Sequence, residues 1–167
     1  MNQIPSIWRA ELLHPIVVHF PIALLTFGTL AWLAGRFVER GGPLGFLLPA
    51  GRLALLLVAV RAWGAVYTGD LADSEVARTL CDPTVAEEHE NLAYIVGYLF
   101  TGALLVDGLP ALFEPLKRWR WIVTGIVAAA LIGGVGVLGY VGHLGGKLVY
   151  QQGAGVYHPA EDCRAFE

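Results

Sequence analysis

The sequence predicts an all-α integral membrane protein, an antiparallel four-helix bundle with both chain termini on the outer side of the membrane. Of its 167 residues, 56% are apolar and only 15% are charged, whereas about 25% of the residues in a soluble domain are charged. The apolar residues fall into four runs, each close to the roughly 20 residues that a membrane-crossing helix needs. A net charge of −3 without a basic stripe argues against nucleic-acid binding.

Four predicted spans make up a single domain over residues 1–167. They cover about residues 13–34, 44–67, 90–113 and 121–144. The first span is not typical of a cleavable signal peptide, because Arg36 and Arg40 follow it rather than precede it. Residues 68–89 are polar and are predicted to form an outer loop, and residues 147–167 form an outer C-terminal tail.

Charged residues divide unevenly between the two ends of the predicted bundle. One end carries six basic residues against three carboxylates: Arg36, Arg40, Arg52, Lys117, Arg118 and Arg120 against Glu39, Asp107 and Glu114. The other end carries eleven carboxylates against four basic residues. The positive-inside rule therefore places the arginine-rich end in the cytoplasm and both termini outside. We also expect Asp107 to pair with an arginine at its own end.

Two cysteines lie on the predicted outer side, Cys81 in the loop and Cys163 in the tail. An oxidising compartment favours a disulfide between them, and the alternative is two free thiols. The sequence contains no C-x-x-C-H motif, so covalent attachment of haem c is not expected.

Four of the five histidines gather at the outer ends of the spans. His14 and His19 begin the first span, His89 opens the third and His143 closes the fourth. Ionisable residues inside a membrane usually serve a function, and cofactor sites in bundles use side chains from facing helices. His14 and His19 differ by roughly 140° in direction along a helix, so both cannot face one small ion.

Two further features lie close to these histidines. Counting back from His143 at helical spacing gives a face of small residues that includes Gly136 and Gly133. This face would admit a flat macrocycle bound through His143, or else close packing against another helix. Arg61 lies inside the second span at a depth similar to His19. It would pair with haem propionates, or extend outward to Asp70 or lipid headgroups.

Three segments carry a family resemblance that covers nearly the whole chain. LHPIVVHFPIALL (Leu13–Leu25) resembles the opening signature of a family of bacterial four-helix membrane proteins of unknown function. GHLGGKLVYQQGAGV (Gly142–Val156) is similar to its closing signature, and EEHENLAY (Glu87–Tyr94) to the start of its third helix. The motif positions carried over are His14, His19, His89 and His143. Some such relatives are joined to cytochrome c modules or encoded among redox proteins, so the resemblance implies electron transfer in a bacterial inner membrane.

Three functions remain open. The first is a b-type cytochrome with one haem b or two, because imidazoles from different helices commonly bind haem iron. His19 is the preferred ligand from the first span, with His89 or His143 as its partner and His14 at a second site or near the surface. Electrons would pass on the outer side between a periplasmic redox partner, such as a cytochrome c, and a quinone or a partner subunit.

The second function is a copper or zinc site formed by three or four of these histidines with a carboxylate from Glu87, Glu88 or Glu90. The third is a cofactor-free structural subunit of a membrane redox complex. No pattern of nucleophile and base points to a hydrolase, so an electron-transfer protein or subunit is expected rather than a stand-alone enzyme.

Overall fold

Four long helices form the protein. The computed structural model describes residue 6 and residues 8–39 and 41–156, and this part of the chain contains no strand. The helices are α1 (Ala10–Ala34), α2 (Leu47–Val76), α3 (Thr84–Leu112) and α4 (Arg120–Gln152). Short 3₁₀ helices follow α2 (Ala77–Thr79) and precede α4 (Glu114–Trp119). All four long helices have the length and apolar character needed to cross a membrane, which confirms the prediction of an all-α membrane protein.

The helices extend beyond the predicted spans at the histidine-bearing end. Helix α2 continues to Val76 and α3 already begins at Thr84, so most of residues 68–89 is helical rather than a loop. Hydropathy marks where a helix leaves the hydrocarbon layer, but polar residues such as Asp70 and Asp73 can continue the same helix in water. Helix α4 likewise continues past residue 144 to Gln152.

A left-handed glycine ends α4 and turns the chain back over α1. Gly153 has a φ of 70°, and the backbone N–H of Ala154 donates to the Leu148 carbonyl at 2.9 Å. This combination is a common helix C-terminus, because glycine adopts the left-handed conformation without steric cost. The guanidinium of Arg9 then donates to the Gly155 carbonyl at 3.4 Å. Residues 153–155 therefore lie against the start of α1.

The helices pack as two close pairs, α1 with α2 and α3 with α4, whereas α1 and α4 make few contacts. Glycines allow the close approach within each pair. A Cβ atom at Gly51 would lie 2.5 Å from the backbone nitrogen of Trp32, and one at Gly134 would lie 2.8 Å from the Phe100 ring. Membrane helices commonly use small residues to bring their backbones together.

Apolar side chains lie both inside the structure and on its outer surface. The core contains fully buried residues such as Trp32, Val58 and Leu131. On the outside, Val60 is 76% exposed and Leu105 is 66% exposed. A surface this apolar is rare on a soluble monomer, and it is what hydrocarbon chains would contact around a membrane protein.

An ion-pair cluster joins three helices at the arginine-rich end. Asp107 in α3 accepts a hydrogen bond from Arg36, which follows α1, at 2.5 Å and another from Arg52 in α2 at 2.6 Å. The Asp107 side chain is only 8% exposed, so these charge-assisted bonds are partly shielded from solvent. The expected pairing of Asp107 with an arginine is confirmed.

We predict that Gly51→Ala destabilises the protein, because the new methyl group meets the backbone of Trp32 and forces α1 away from α2. Overpacking of this kind costs about 1–3 kcal/mol, which should appear as a lower Tm in detergent. Gly64→Ala in the same helix is the matched control, since a Cβ there meets no atom within 4 Å. Equal Tm values for the two variants would contradict the close α1–α2 contact.

Candidate cofactor site

Two histidines from opposite pairs of helices face each other. His14 lies near the start of α1 and His89 near the start of α3, and both are only partly exposed. Their ring centroids are 6.0 Å apart and the ring planes are nearly perpendicular, at 85°. Of the four histidines expected at this end, the structure brings this pair together.

Each of these rings is held by a backbone carbonyl of the neighbouring helix. Nδ1 of His14 is 2.9 Å from the Ala65 oxygen in α2, and Nδ1 of His89 is 2.9 Å from the Val141 oxygen in α4. A carbonyl oxygen can only accept a hydrogen bond, so Nδ1 carries the proton in both rings. The neutral ring then has an unprotonated Nε2, and neither Nε2 has a hydrogen-bond partner within the described ranges. Metal-binding histidines are commonly oriented in this way.

A glycine makes room for each ring, one helical turn after the carbonyl that the ring contacts. Gly69 follows Ala65 by four residues, and a Cβ atom there would lie 3.2 Å from Cε1 of His14. Gly145 follows Val141 by four residues, and its Cβ would lie 3.3 Å from Cε1 of His89. A larger side chain at either position would push the ring off its carbonyl.

The two helix pairs therefore repeat one arrangement. The histidine and the carbonyl it contacts are 51 residues apart in the first pair and 52 in the second. In both pairs the first helix supplies the histidine, and the second supplies the carbonyl and the glycine. The two imidazoles consequently approach each other from equivalent positions on the two pairs.

A cavity of about 540 Å³ adjoins the two histidines, and residues of all four helices line it. Its walls are mainly apolar and include Leu25, Val96 and Leu138, with Glu11 and Gly155 at the end where the chain folds back. This volume lies within the range of about 300–1,000 Å³ for cofactor and ligand sites. The few contacts between α1 and α4 leave this space between them.

Acidic residues surround the end of the cavity near the histidines. Asp70, Asp73 and Glu90 line it. Tyrosines donate hydrogen bonds to two carboxylates at this end of the molecule: Tyr94 to Asp70 at 3.2 Å, and Tyr140 to Glu88, outside the cavity lining, at 3.2 Å. This end of the molecule therefore presents negative charge.

The other two motif histidines lie away from the facing pair. His19 is exposed at the edge of the cavity, and its Nδ1 contacts the Pro15 carbonyl of its own helix at 2.5 Å. His143 is exposed and its ring stacks on Tyr140, with centroids 6.0 Å apart. His14 therefore takes the inward position expected of His19, because the two residues point in different directions along α1.

The glycine face and Arg61 lie outside the cavity. Gly133 and Gly136 are exposed, and a Cβ at either would meet no atom within 4 Å. Helix α4 is rotated so that Leu131 and Gly134 face the core, and the face of small residues that includes Gly133 and Gly136 therefore points outward. Arg61 is also exposed, and its guanidinium lies 5.1 Å from the centre of the Phe20 ring rather than near the facing histidines.

The structure leaves the predicted disulfide open. Cys81 is exposed in the segment between α2 and α3. Cys163 and the tail histidine His158 lie outside the described residues.

Two imidazoles are the number of protein ligands that a haem iron takes. Within the described ranges, no three His, Cys, Asp or Glu side chains are grouped closely enough to hold an ion, and a bare zinc ion needs at least three protein ligands. A haem supplies its own four nitrogen ligands and needs only two from the protein. The site offers two such nitrogens, Nε2 of His14 and Nε2 of His89, since Nδ1 of each ring is bonded to a carbonyl.

Several residues of the site are absent from the sequence-based expectations. Gly69, Gly145 and the carbonyls of Ala65 and Val141 belong to it, and the similar spacing of each histidine from its glycine, which differs by one residue between the two pairs, is the signal that could reveal them. Arg9 is another, since it forms a salt bridge at 3.0 Å to Glu11 at the end of the cavity. The buried Nε of Arg9 has no hydrogen-bond partner in the part of the chain that the structure describes.

We predict that Gly145→Val displaces the His89 ring from the Val141 carbonyl, because the added methyl groups occupy the position of the ring. In ¹⁵N spectra of histidine-labelled protein in detergent, the Nδ1-protonated signal of His89 should be lost or shifted. Gly139→Val is the matched control on the same helix, since a Cβ there meets open space. An unchanged His89 signal in Gly145→Val would show that the glycine does not position the ring.

Comparison with protein families gives one match that covers most of the chain. The model of the family described as "Predicted membrane protein (DUF2231)" matches residues 11–158. This range contains all four motif histidines. No curated protein and no solved structure matches the sequence.

Proposed function

We propose that this chain, which belongs to the DUF2231 family of predicted membrane proteins, is a membrane-bound b-type cytochrome. In this proposal His14 and His89 would hold a single haem b through their imidazole nitrogens. The observation that supports it best is that two imidazoles, and only two among the described residues, face each other beside a large apolar cavity. The geometry favours His14 over His19 as the ligand from α1.

The protein's own groups would prepare the site in three ways. The carbonyls of Ala65 and Val141 orient the rings and strengthen Nε2 as a donor, because each accepts the Nδ1 proton. Apolar walls exclude water, which tunes the reduction potential of a bound haem. Arg9 would hold Glu11, which lines the end of the cavity, in place through their salt bridge. Bound haem would supply one-electron chemistry at this position.

The position of the site favours electron exchange on one side of the membrane. We infer an antiparallel bundle in a bacterial inner membrane with both termini outside, because the starts of α1 and α3 contact the later parts of α2 and α4 and the basic residues gather at the other end. In the sequence no histidine lies near that basic end. An electron would have no relay across most of the roughly 30 Å hydrocarbon layer.

The acidic end then determines the class of partner. Carboxylates such as Asp70, Asp73 and Glu90 surround the cavity, and negative charge steers association with a basic protein. We propose a basic periplasmic redox protein, such as a cytochrome c, as the partner on this face. A quinone or a partner subunit would exchange electrons with the same haem.

The test is an optical spectrum of the detergent-purified protein produced with ample haem, first air-oxidised and then reduced with dithionite. We predict a Soret band with sharp α and β bands on reduction, as two imidazole ligands produce. His14→Ala and His89→Ala should each remove these bands or convert them to those of five-coordinate haem. His19→Ala and His143→Ala are the matched controls and should retain the wild-type bands.

Three other results would count against the proposal. A featureless visible spectrum of the wild type would exclude the cytochrome, and elemental analysis would then distinguish a copper or zinc site from a structural subunit. Loss of the bands in His19→Ala but not in His14→Ala would return the ligand role to His19. Equal loss in all four variants would indicate a general effect on folding rather than ligation.

A further inference from the structure

A second cavity lies at the opposite, arginine-rich end of the helices. Its volume is about 230 Å³, and its polar lining comes from Arg36, Arg52, Asp107, Lys117, Arg120 and Thr124. These residues belong to the ends of α2, α3 and α4 and to the segments beside them. The lining therefore combines four cationic side chains with one carboxylate.

The charges in this cavity are not balanced by their neighbours. Asp107 is shared between Arg36 and Arg52, at 2.5 and 2.6 Å. Lys117 bonds to Glu114 at 2.5 Å, whereas Arg120 has no ion-pair partner within the described ranges. An excess of positive charge remains around the cavity.

Arg36 is the most constrained of these cations. Its guanidinium lies 4.2 Å from the centre of the Trp32 ring, and its buried Nε has no hydrogen-bond partner in the described part of the chain. Burial lowers the pKa of Arg36, Asp107 opposes that shift, and the charges of Arg52 and Arg120 add to it. A second anion beside Arg36 would reduce the electrostatic repulsion among Arg36, Arg52 and Arg120.

We infer that this cavity binds a phosphate group, held by the guanidinium groups of Arg36, Arg52 and Arg120 together with Lys117. Planar guanidinium groups recognise phosphate oxygens through paired hydrogen bonds, and Thr124 can donate a further one from its hydroxyl. Asp107 keeps two of the arginines in place without neutralising the site. The phosphate can belong to an anionic lipid headgroup or be free in solution.

The surroundings of the cavity suit a lipid phosphate. Large apolar side chains at the same end are exposed, with Phe37 90%, Leu112 78% and Trp121 73% exposed. Acyl chains could run along these residues while the headgroup enters the cavity. Basic pockets at the ends of membrane helices commonly bind anionic lipid headgroups.

The test compares lipid binding to the purified full chain by native mass spectrometry in mixed micelles. Micelles contain phosphatidylglycerol or phosphatidylcholine, and a parallel titration uses inorganic phosphate with Tm as the readout. We expect preferential retention of phosphatidylglycerol, weakened roughly five-fold by Arg120→Gln because one cation is removed. Arg118→Gln is the matched control, since Arg118 is exposed at the same end and lies over Trp119, outside the cavity. Lys117→Gln serves as a second variant if Arg120→Gln does not fold.

The outcomes answer two questions: whether the site exists, and whether its phosphate belongs to a lipid or is free in solution. Retention of phosphatidylglycerol without a response to inorganic phosphate supports a lipid site, and a saturable Tm rise with inorganic phosphate supports a site for the free anion. In both cases Arg120→Gln or Lys117→Gln must weaken binding while Arg118→Gln does not. Equal weakening by Arg118→Gln overturns the inference. So does the combination of no preference for phosphatidylglycerol over the zwitterionic phosphatidylcholine and no Tm response to inorganic phosphate. Because the readouts involve no haem, this result does not depend on the proposed cytochrome function.

Discussion

The hydrogen bond from a histidine Nδ1 to a carbonyl of the next helix is the interaction on which the site depends. It occurs twice, from His14 to Ala65 and from His89 to Val141. The bond determines which ring nitrogen carries the proton and how each ring is oriented. It also ties the two helices of each pair together close to the cavity. Without a glycine one turn after the carbonyl, the ring could not approach the helix backbone closely enough to form this bond.

This repeated bond explains why two imidazoles, rather than four, come together beside the cavity. Each helix pair contributes one histidine from the first helix, and the two pairs bring these residues to a centroid separation of 6.0 Å. His19 and His143 have no such bond: His19 contacts a carbonyl of its own helix, and the ring of His143 stacks on Tyr140. A pair of imidazoles is too small a ligand set for a structural zinc ion, but it is sufficient for haem.

Charge distinguishes the two ends of the molecule and assigns them different chemistry. The histidine end is rimmed by carboxylates such as Asp70 and Glu90, on which the proposed contact with a basic protein rests. The arginine end has an excess of cations around Asp107, which favours phosphate groups. Between these two polar ends lies a core of apolar side chains, including Val58, Phe100 and Leu131.

The number of helices and the end at which the histidines lie could be predicted from the sequence, because span length and charge asymmetry depend only on composition along the chain. The rotation of each helix about its own axis could not be predicted from the sequence. In a soluble protein the apolar face of a helix marks the interior, but here Leu131 is buried while Ile132 on the next position is 58% exposed. With apolar residues on every side, the sequence does not show whether Gly134 or Gly136 faces the core.

The same limit applies to the choice between His14 and His19. Both lie near the start of α1, and only the packing of α1 on α2 shows that His14 points inward. The spacing from each histidine to its glycine, from His14 to Gly69 and from His89 to Gly145, is visible in the sequence. This spacing indicates a ring-to-glycine contact only once the pairing of α1 with α2 and of α3 with α4 is known, and composition alone does not reveal that pairing.

The most direct test of the central claim, that His14 and His89 share one haem iron, is a low-temperature electron paramagnetic resonance spectrum of the oxidised protein. The ring planes are 85° apart, and nearly perpendicular imidazole planes produce a strongly anisotropic low-spin ferric signal. We predict one such signal per chain. A copper signal with nuclear hyperfine lines, a purely high-spin iron signal, or no signal from the haem-supplied protein would contradict the claim.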